Sequence, residues 1–423
     1  MLIQLDSFKI FIYLILINIK HITMLKKLKV KNFKSLENLE LNLGKFNVLI
    51  GRNNSGKSNI LDCLKFLSEL AEKRNLSETI RGSGMQYKDI VYGRDYKNEI
   101  SIEVCVELEN EEFTYKLSFS GVNEGIRVSD DELVIKKDGA EKAIKWERRE
   151  REFELVLLDG KKKDVIIVSG VKTSLFNFVE PNTGFISRTN EETQQSLHRF
   201  LEFMKNIKLY EFYSNKMKES ERRIRAPLQS YIVTENGDNI LEILHTLYLE
   251  HRDVFERISE LLTGAIEEIG EIKIMPQKTG MYMAIKEKNF SEPFPLWSIS
   301  NGTLKIISYI TALHTTDFFE FDKAKIKNPL FCFEEPENDI HSRLLEFLVD
   351  LMKNSDAQII LSTHSPYFMD RCEPDELIII EKENGRTIAR RIGSEEIKKE
   401  MPDYGGTLGG IYYSDEFKKE KGE

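Results

Sequence analysis

The stretch Val48-Leu49-Ile50-Gly51-Arg52-Asn53-Asn54-Ser55-Gly56-Lys57-Ser58 constrains this chain more than any other. Gly51 and Gly56-Lys57-Ser58 fill the fixed positions of the G-x-x-x-x-G-K-[ST] pattern, in which glycines let successive backbone N–H groups curl around a phosphate with no side chain in the way. The apolar run Phe46 to Ile50 precedes it as a buried strand would, and Ile60, Leu61, Leu64, Leu67 and Ala71 follow at helical spacing. The loop is therefore expected at a helix N-terminus, where unpaired N–H groups and the helix dipole both favour an anion. Gly51, Arg52, Asn53, Asn54, Ser55, Gly56, Lys57, Ser58 and Asn59 are the candidate nucleotide-binding residues. Taken alone, they say only that the chain binds a nucleoside triphosphate.

At 423 residues with 41% hydrophobic content the chain can bury a sizeable core, as two or three domains or as one core with insertions. A net charge of −9 with 31% charged residues argues against a surface that is wholly a nucleic-acid cradle, and leaves room for a local basic groove. Cys63, Cys105, Cys332 and Cys372 form no C-x-x-C pair, so neither a disulfide framework nor a zinc site is indicated, and a reducing cytoplasm is expected. Residues 1–23 include the apolar run Ile10 to Ile17, too short to span a bilayer and followed by no small-residue cleavage site. Met24 opens a plausible first strand, so 1–23 reads as an upstream extension, a mis-assigned start, and no membrane association is expected.

From Leu28 to Ile50 a two-residue period predicts two or three strands feeding the loop. Alternation at Ile100 to Leu108 and Phe113 to Phe119, with Asp138-Gly139 and Asp159-Gly160 as tight turns, predicts an antiparallel meander to about Val168. Helical spacing takes over from about Glu191, and again from Asp238-Asn239. Between these lies the charged stretch Lys216 to Arg225 with Arg222, Arg223 and Arg225, either a solvated helix face or a contact to nucleic acid or a partner. The expected division is 24–185 as an N-terminal lobe carrying the phosphate loop and the meander, 186–280 as a helical insertion and 281–423 as a C-terminal lobe.

The C-terminal part carries three further motifs. Ser300-Asn301-Gly302 precedes an apolar helix pattern and places Ser300 as its N-cap. Leu330 to Phe333 reads as a buried strand that runs into Glu334-Glu335-Pro336. Two adjacent carboxylates there are electrostatically costly unless a cation compensates them, and magnesium with a nucleotide would do so. Neighbouring strand residues point opposite ways, so Glu334 is expected to hold Mg²⁺ and Glu335 to orient or deprotonate the attacking water. A second apolar strand, Gln358 to Leu361, leads to His364, which is either a structural histidine or a γ-phosphate contact.

In this order the four stretches resemble the Walker A, signature, Walker B and switch-histidine motifs of ABC-type ATPases. Glu334-Glu335-Pro336-Glu337-Asn338-Asp339-Ile340-His341 and Ser362-Thr363-His364-Ser365-Pro366 are similar to the RecF/SMC/OLD-related prokaryotic AAA family ATPases, as are Gly237-Asp238-Asn239-Ile240-Leu241 and the tail Tyr404 to Gly410. The resemblance covers about Met24 to Tyr413. It implies an α/β P-loop fold of ABC-ATPase type with an antiparallel β subdomain, and a homodimer that sandwiches two ATP molecules. On that pattern Lys57 bridges the β- and γ-phosphates, Ser58 and Glu334 hold Mg²⁺, Glu335 polarises water and His364 senses the γ-phosphate. Ser300, Asn301 and Gly302 would reach the partner's ATP, and Asn338 and Asp339 would lie in the loop that crosses the interface. Asn301 and Lys305 stand where this group more often has an acidic residue and an arginine, and Gln86 is the candidate Q-loop glutamine. Only about 59 residues follow His364, too few for the Toprim nuclease domain of some OLD-type relatives.

Two functions from different classes follow. One is an ATP-switched dimeric ATPase acting on DNA or on a DNA-processing protein, in repair or in defence against mobile elements. The other is a nucleotide-gated scaffold or sensor that regulates a separate effector such as a nuclease, with little turnover. A transporter engine fits less well, because the signature is not of transporter form and the insertion before it is long.

Overall fold

The computed structural model describes residues 23–82, 84–122, 125–149, 152–159, 162–168, 190–220, 231–277, 280–316, 320–321, 324–325, 329–391 and 407–413. The apolar N-terminal run, the Arg222–Arg225 cluster and Tyr404-Gly405-Gly406 lie outside the described residues.

Strands β1 (Met24–Phe33), β2 (Leu36–Asn42) and β3 (Phe46–Ile50) open the described chain and lead through the glycine loop into helix α1 (Lys57–Lys73). Two short helices, α2 (Leu76–Gly82) and α3 (Tyr87–Ile90), precede the long strands β4 (Ile100–Leu108), β5 (Glu111–Val122), β6 (Gly125–Lys137), β7 (Ala140–Arg149), β8 (Glu152–Asp159) and β9 (Lys162–Val168). These six are the expected meander. They join β1 and β2 in an eight-stranded antiparallel sheet of order β2-β1-β4-β5-β6-β7-β8-β9. The β6–β7 turn forms at Asp138-Gly139, both with positive φ (49° and 81°), the left-handed pair that a tight hairpin demands.

The segment expected to be helical contains α4 (Glu191–Lys205), α5 (Ser214–Ser220), α6 (Ile240–Glu250) and α7 (Arg252–Ala265). It is not helical throughout. β10 (Lys208–Tyr210) falls between α4 and α5, and β11 (Ile269–Gln277), β12 (Gly280–Glu287) and β13 (Phe294–Pro295) form a three-stranded sheet. A three-residue strand is too short to show a two-residue period, which is why the sequence hid β10. After α8 (Asn301–His314) come β14 (Glu320–Phe321), β15 (Ala324–Lys325), β16 (Leu330–Glu334), α9 (Ser342–Asn354), β17 (Gln358–Thr363), α10 (Pro366–Met369), β18 (Leu377–Glu383), β19 (Arg386–Arg391) and α11 (Leu408–Tyr413).

The second sheet, β10-β16-β17-β3-β18-β19, is parallel except for its edge strand β19. Its central strands are buried on both faces, so their apolar residues run on without polar alternation and serve two cores in turn. Leu49, Cys332, Ile360 and Ile378 pack with α1 and the antiparallel sheet. Val48, Ile50, Phe333, Leu361 and Ile379 pack with α6, α7, α8 and α9. Residue parity along β3 thus decides which layer each side chain holds. The C-terminal ends of β3, β16 and β17 sit side by side, with Ile50 paired to Thr363 and Glu334 to Ser362. Among the described residues no helix is long and apolar enough to cross a membrane.

Candidate functional site

The loop after β3 needs glycine at both ends for different reasons. A Cβ at Gly51 would collide with the Ile380 carbonyl oxygen and come within 2.6 Å of Ser55 Oγ. Gly56 adopts φ +111° at the start of α1, and a Cβ there would strike Thr387. Lys57 follows, only 5% exposed, and its Nζ donates to the carbonyls of Gly51 (2.6 Å) and Arg52 (3.1 Å). Burial lowers its pKa, opposed by the fields of Glu335, Glu337 and Glu334. Residues Asn53 to Asn59 and Glu335 line an open cavity of about 300 Å³ at the helix N-terminus.

A brace from the far end of the chain holds this loop. The Thr387 hydroxyl donates to the Ser55 carbonyl (2.9 Å) and lies 2.6 Å from Ser35 Oγ, which also receives Asn59 Nδ2 at 2.6 Å. Lys382 Nζ donates to Asn54 Oδ1 at 3.1 Å. Both come from the β18–β19 hairpin, more than 300 residues from the loop.

Two carboxylates leave β16 in different environments. Ser58 Oγ donates to Glu334 Oε1, and burial raises the Glu334 pKa above the usual carboxylate range, partly offset by that hydrogen bond. A hydroxyl and a carboxylate oxygen side by side at a phosphate loop form a hard-oxygen pair suited to Mg²⁺. Among the described residues no three His, Cys, Asp or Glu side chains form a metal cage. Glu335 turns the chain, with φ +42°, a costly conformation for a residue with a side chain. Its N–H donates to Ser362 O at 3.0 Å, its Oε2 accepts from Asn338 Nδ2 at 3.2 Å, and its Oε1 lies 3.3 Å from His364 Nδ1.

Ser300 caps α8, its Oγ accepting from Thr303 N at 3.1 Å. Neither Ser300 nor Gly302 lines the phosphate-loop cavity. Gly302 packs instead toward the Asn338–Asp339 loop: a Cβ on it would lie 2.7 Å from Asp339 O, and Asp339 has φ +64°. Lys305, 7% exposed, donates to Asn338 O (2.8 Å) and lies 3.6 Å from Asp339 Oδ2. Asn301 is tied through its backbone oxygen to Ser214 Oγ and through Oδ1 to Lys218 Nζ, both at 3.2 Å.

Gln86 is not at the site. It caps α3 and lines a separate cleft with Arg81, Tyr87 and Tyr96, so its candidacy as the Q-loop residue is withdrawn. The segment that does flank Glu334 is Glu211 to Lys216, just after β10, and it lines a cavity of about 480 Å³ with Asn301, Lys305, Glu334 and Glu335. The strand next to the carboxylate strand could have been sought in sequence only by knowing that β10 exists.

A parallel sheet with this loop, these carboxylates and a capped helix beside them defines a RecF/SMC-like P-loop ATPase fold. Residues 46–370 match the family described as "AAA domain, putative AbiEii toxin, Type IV TA system", and the chain belongs to that family. An "ATP/GTP phosphatase" of Helicobacter pylori is 23% identical over 82% of this chain and 87% of its own length. An uncharacterised protein of Methanocaldococcus jannaschii is 29% identical over 27% of this chain, and the match spans about half (55%) of that relative. The chromosome partition protein Smc of the same organism is 33% identical over 30% of this chain but only 11% of its own length. The SmcHead in a crystal structure bound to the C-winged helix domain of ScpA superposes with a TM-score of 0.50 at 14% identity, covering 88% of this chain and 99% of that one. That likeness shows the fold.

Proposed function

We propose that the chain is a Mg²⁺-dependent ATPase that works as a homodimer closed around two ATP molecules. The observation that supports this is that Lys57, Ser58, Glu334, Glu335 and His364 gather about the phosphate loop, whereas Ser300 and Gly302 do not line that cavity and would be supplied to it by another copy. Lys57, released from the Gly51 and Arg52 carbonyls, takes the β- and γ-phosphates, and the backbone N–H groups of Asn53 to Ser58 cradle them. Ser58 and Glu334 would hold Mg²⁺, whose contribution is to neutralise charge on the phosphate oxygens. Glu335 accepts a proton from, or orients, the attacking water, and His364 contacts the γ-phosphate beside it. Ser300, Asn301 and Gly302 of one copy meet the other copy's ATP at a helix N-terminus. Asn338 and Asp339 sit at the crossing between copies. Closure then depends on a γ-phosphate being present, so hydrolysis opens the dimer.

The test is direct. Lys57→Ala should abolish Mg²⁺-dependent phosphate release, and Glu335→Gln should shift the protein with ATP to a dimer on size-exclusion chromatography. Hydrolysis unaffected by Lys57→Ala would end the enzyme reading, and a Glu335→Gln protein that stays monomeric with ATP would end the sandwich.

The work done with this cycle is proposed to be DNA repair or defence against mobile elements, in the cytoplasm. The toxin description of the family and the chromosome-partition role named for the Smc relative support it. DNA or a DNA-processing protein would be the partner, with Arg222, Arg223 and Arg225 as the contact. Neutralising them should weaken DNA binding and flatten its salt dependence. A second reading, a nucleotide-gated scaffold that governs a separate effector with little turnover, is favoured by the tethering of Asn301 to Ser214 and Lys218, which restrains the helix end that must reach a partner. Under that reading the same substitutions leave DNA binding unchanged.

A further inference from the structure

Glu337 stands three residues past Glu334 and has no part in the cycle above. Its side chain is only 8% exposed. Oε1 accepts from the Thr363 hydroxyl at 2.5 Å and from the His364 backbone N–H at 3.1 Å, while Oε2 is buried with no hydrogen-bond partner. The Thr363 hydroxyl is itself fixed, because it accepts from Ser365 N at 3.0 Å. A buried carboxylate used on one oxygen only is a costly group to keep, and nothing about folding requires it where an amide would make the same two bonds. It stands close to two groups of the site. Lys57 lies within its field, and the His364 Nδ1 is 3.6 Å from the same Oε1.

We propose that Glu337 is the positioning residue of His364: it pins the Thr363–His364 backbone and draws the Nδ1 edge of the imidazole toward itself, so that Nε2 is the edge presented to the γ-phosphate. This rests on the nucleotide reading and deepens it. His364 Nδ1 has two carboxylate neighbours, and they differ in kind. Glu335, at 3.3 Å, is 27% exposed and held through Asn338, so it can swing toward a water. Glu337 is buried and held by the strand end, so it stays. When Glu335 turns to its water, Glu337 keeps the ring from flipping. The order of the motif follows: one carboxylate for the metal, one for the water and one for the histidine.

The experiment is a double-mutant cycle on ATP hydrolysis with Glu337→Gln and His364→Ala. Glutamine retains an oxygen for the Thr363 and His364 donors, so circular dichroism and KM for ATP should stay close to wild type. kcat should fall about tenfold, the low end of what losing an outer partner of a functional histidine costs. Because Glu337 acts through His364, the double variant should be no slower than His364→Ala alone. Losses that multiply would overturn the proposal, as would a Glu337→Gln enzyme with wild-type kcat. The wild type is assayed first. If it hydrolyses no ATP, the nucleotide reading falls, and the ¹⁵N spectrum of the histidine ring then decides on Glu337 alone. An Nδ1–H form lost in Glu337→Gln supports it, and a ring spectrum unchanged by the substitution overturns it.

Discussion

Thr387→Val tests whether the C-terminal hairpin holds the phosphate loop. Valine has nearly the shape of threonine, so packing at this buried position (2% exposed) is kept and only the hydroxyl goes. Two bonds go with it: the donor to Ser55 O at 2.9 Å and the contact to Ser35 Oγ at 2.6 Å. Ser35 retains Asn59 Nδ2, but Ser55 O is left without this donor inside the loop. An unsatisfied buried acceptor costs about 1–3 kcal/mol, so a loss of about 2 kcal/mol falls on the one conformation that can cradle a phosphate. At 1.4 kcal/mol per factor of ten this corresponds to an ATP Kd raised about 30-fold. Calorimetric titration of Mg²⁺-ATP at 25 °C measures it, with circular dichroism as the check on folding. Thr387→Ser, which keeps the hydroxyl, should bind within about threefold of wild type, consistent with the loss of one methyl contact. A folded Thr387→Val protein with wild-type affinity would refute the brace, and so would Thr387→Ser losing as much as valine.

Three other outcomes follow from the geometry. Glu334 has a raised folded-state pKa, so its contribution to stability is present below the ordinary carboxylate value and is lost as pH rises through the raised one. Glu334→Gln should therefore raise the nucleotide-free melting temperature at pH 7.5, with the gain shrinking toward pH 4.5; a gain constant across that range would contradict this. Lys305→Ala strips Asn338 O and Asp339 of a buried cation and should lower stability by about 2 kcal/mol in urea unfolding, whereas an unchanged midpoint would show that the contact is idle. Gly302→Ala drives a Cβ to within 2.7 Å of Asp339 O and should reduce kcat with ATP binding retained; equal activity to wild type would mean the α8–loop contact can relax freely.

What could be read from the sequence was what is local. The all-apolar Phe46–Ile50 run, the glycine spacing, the alternation through β4 and β5, the Asp138-Gly139 turn and the Ser300 cap each write their signal within a few residues. What could not be read is adjacency between distant strands. Nothing near residue 50 says that β3 lies between β17 and β18, or that Thr387 sits under Gly56. Lys305 looked like a departure from a pattern, and its contact with Asn338 appears only when α8 and the loop after β16 are placed together. Glu337 was legible as a letter of a motif but not as a buried side chain, because burial depends on Thr363 and His364 at and just past the end of β17. Gln86 misled for the converse reason: identity suggested a role that position denies.

The place of β3 in its sheet also sets a clock on the ribosome. Its five buried residues are made early, yet both neighbouring strands arrive more than 300 residues later. At synthesis rates of about 5–20 residues per second, that apolar strand waits on the order of 15–60 s without a partner, a window in which a chaperone would find it. Until β18 and β19 emerge, Gly51 and Gly56 lack the Ile380 carbonyl and the Thr387 side chain they lie against, and the loop lacks its brace. On the proposed cycle, a chain cut short before Thr387 would bind ATP more weakly and so compete poorly for a partner.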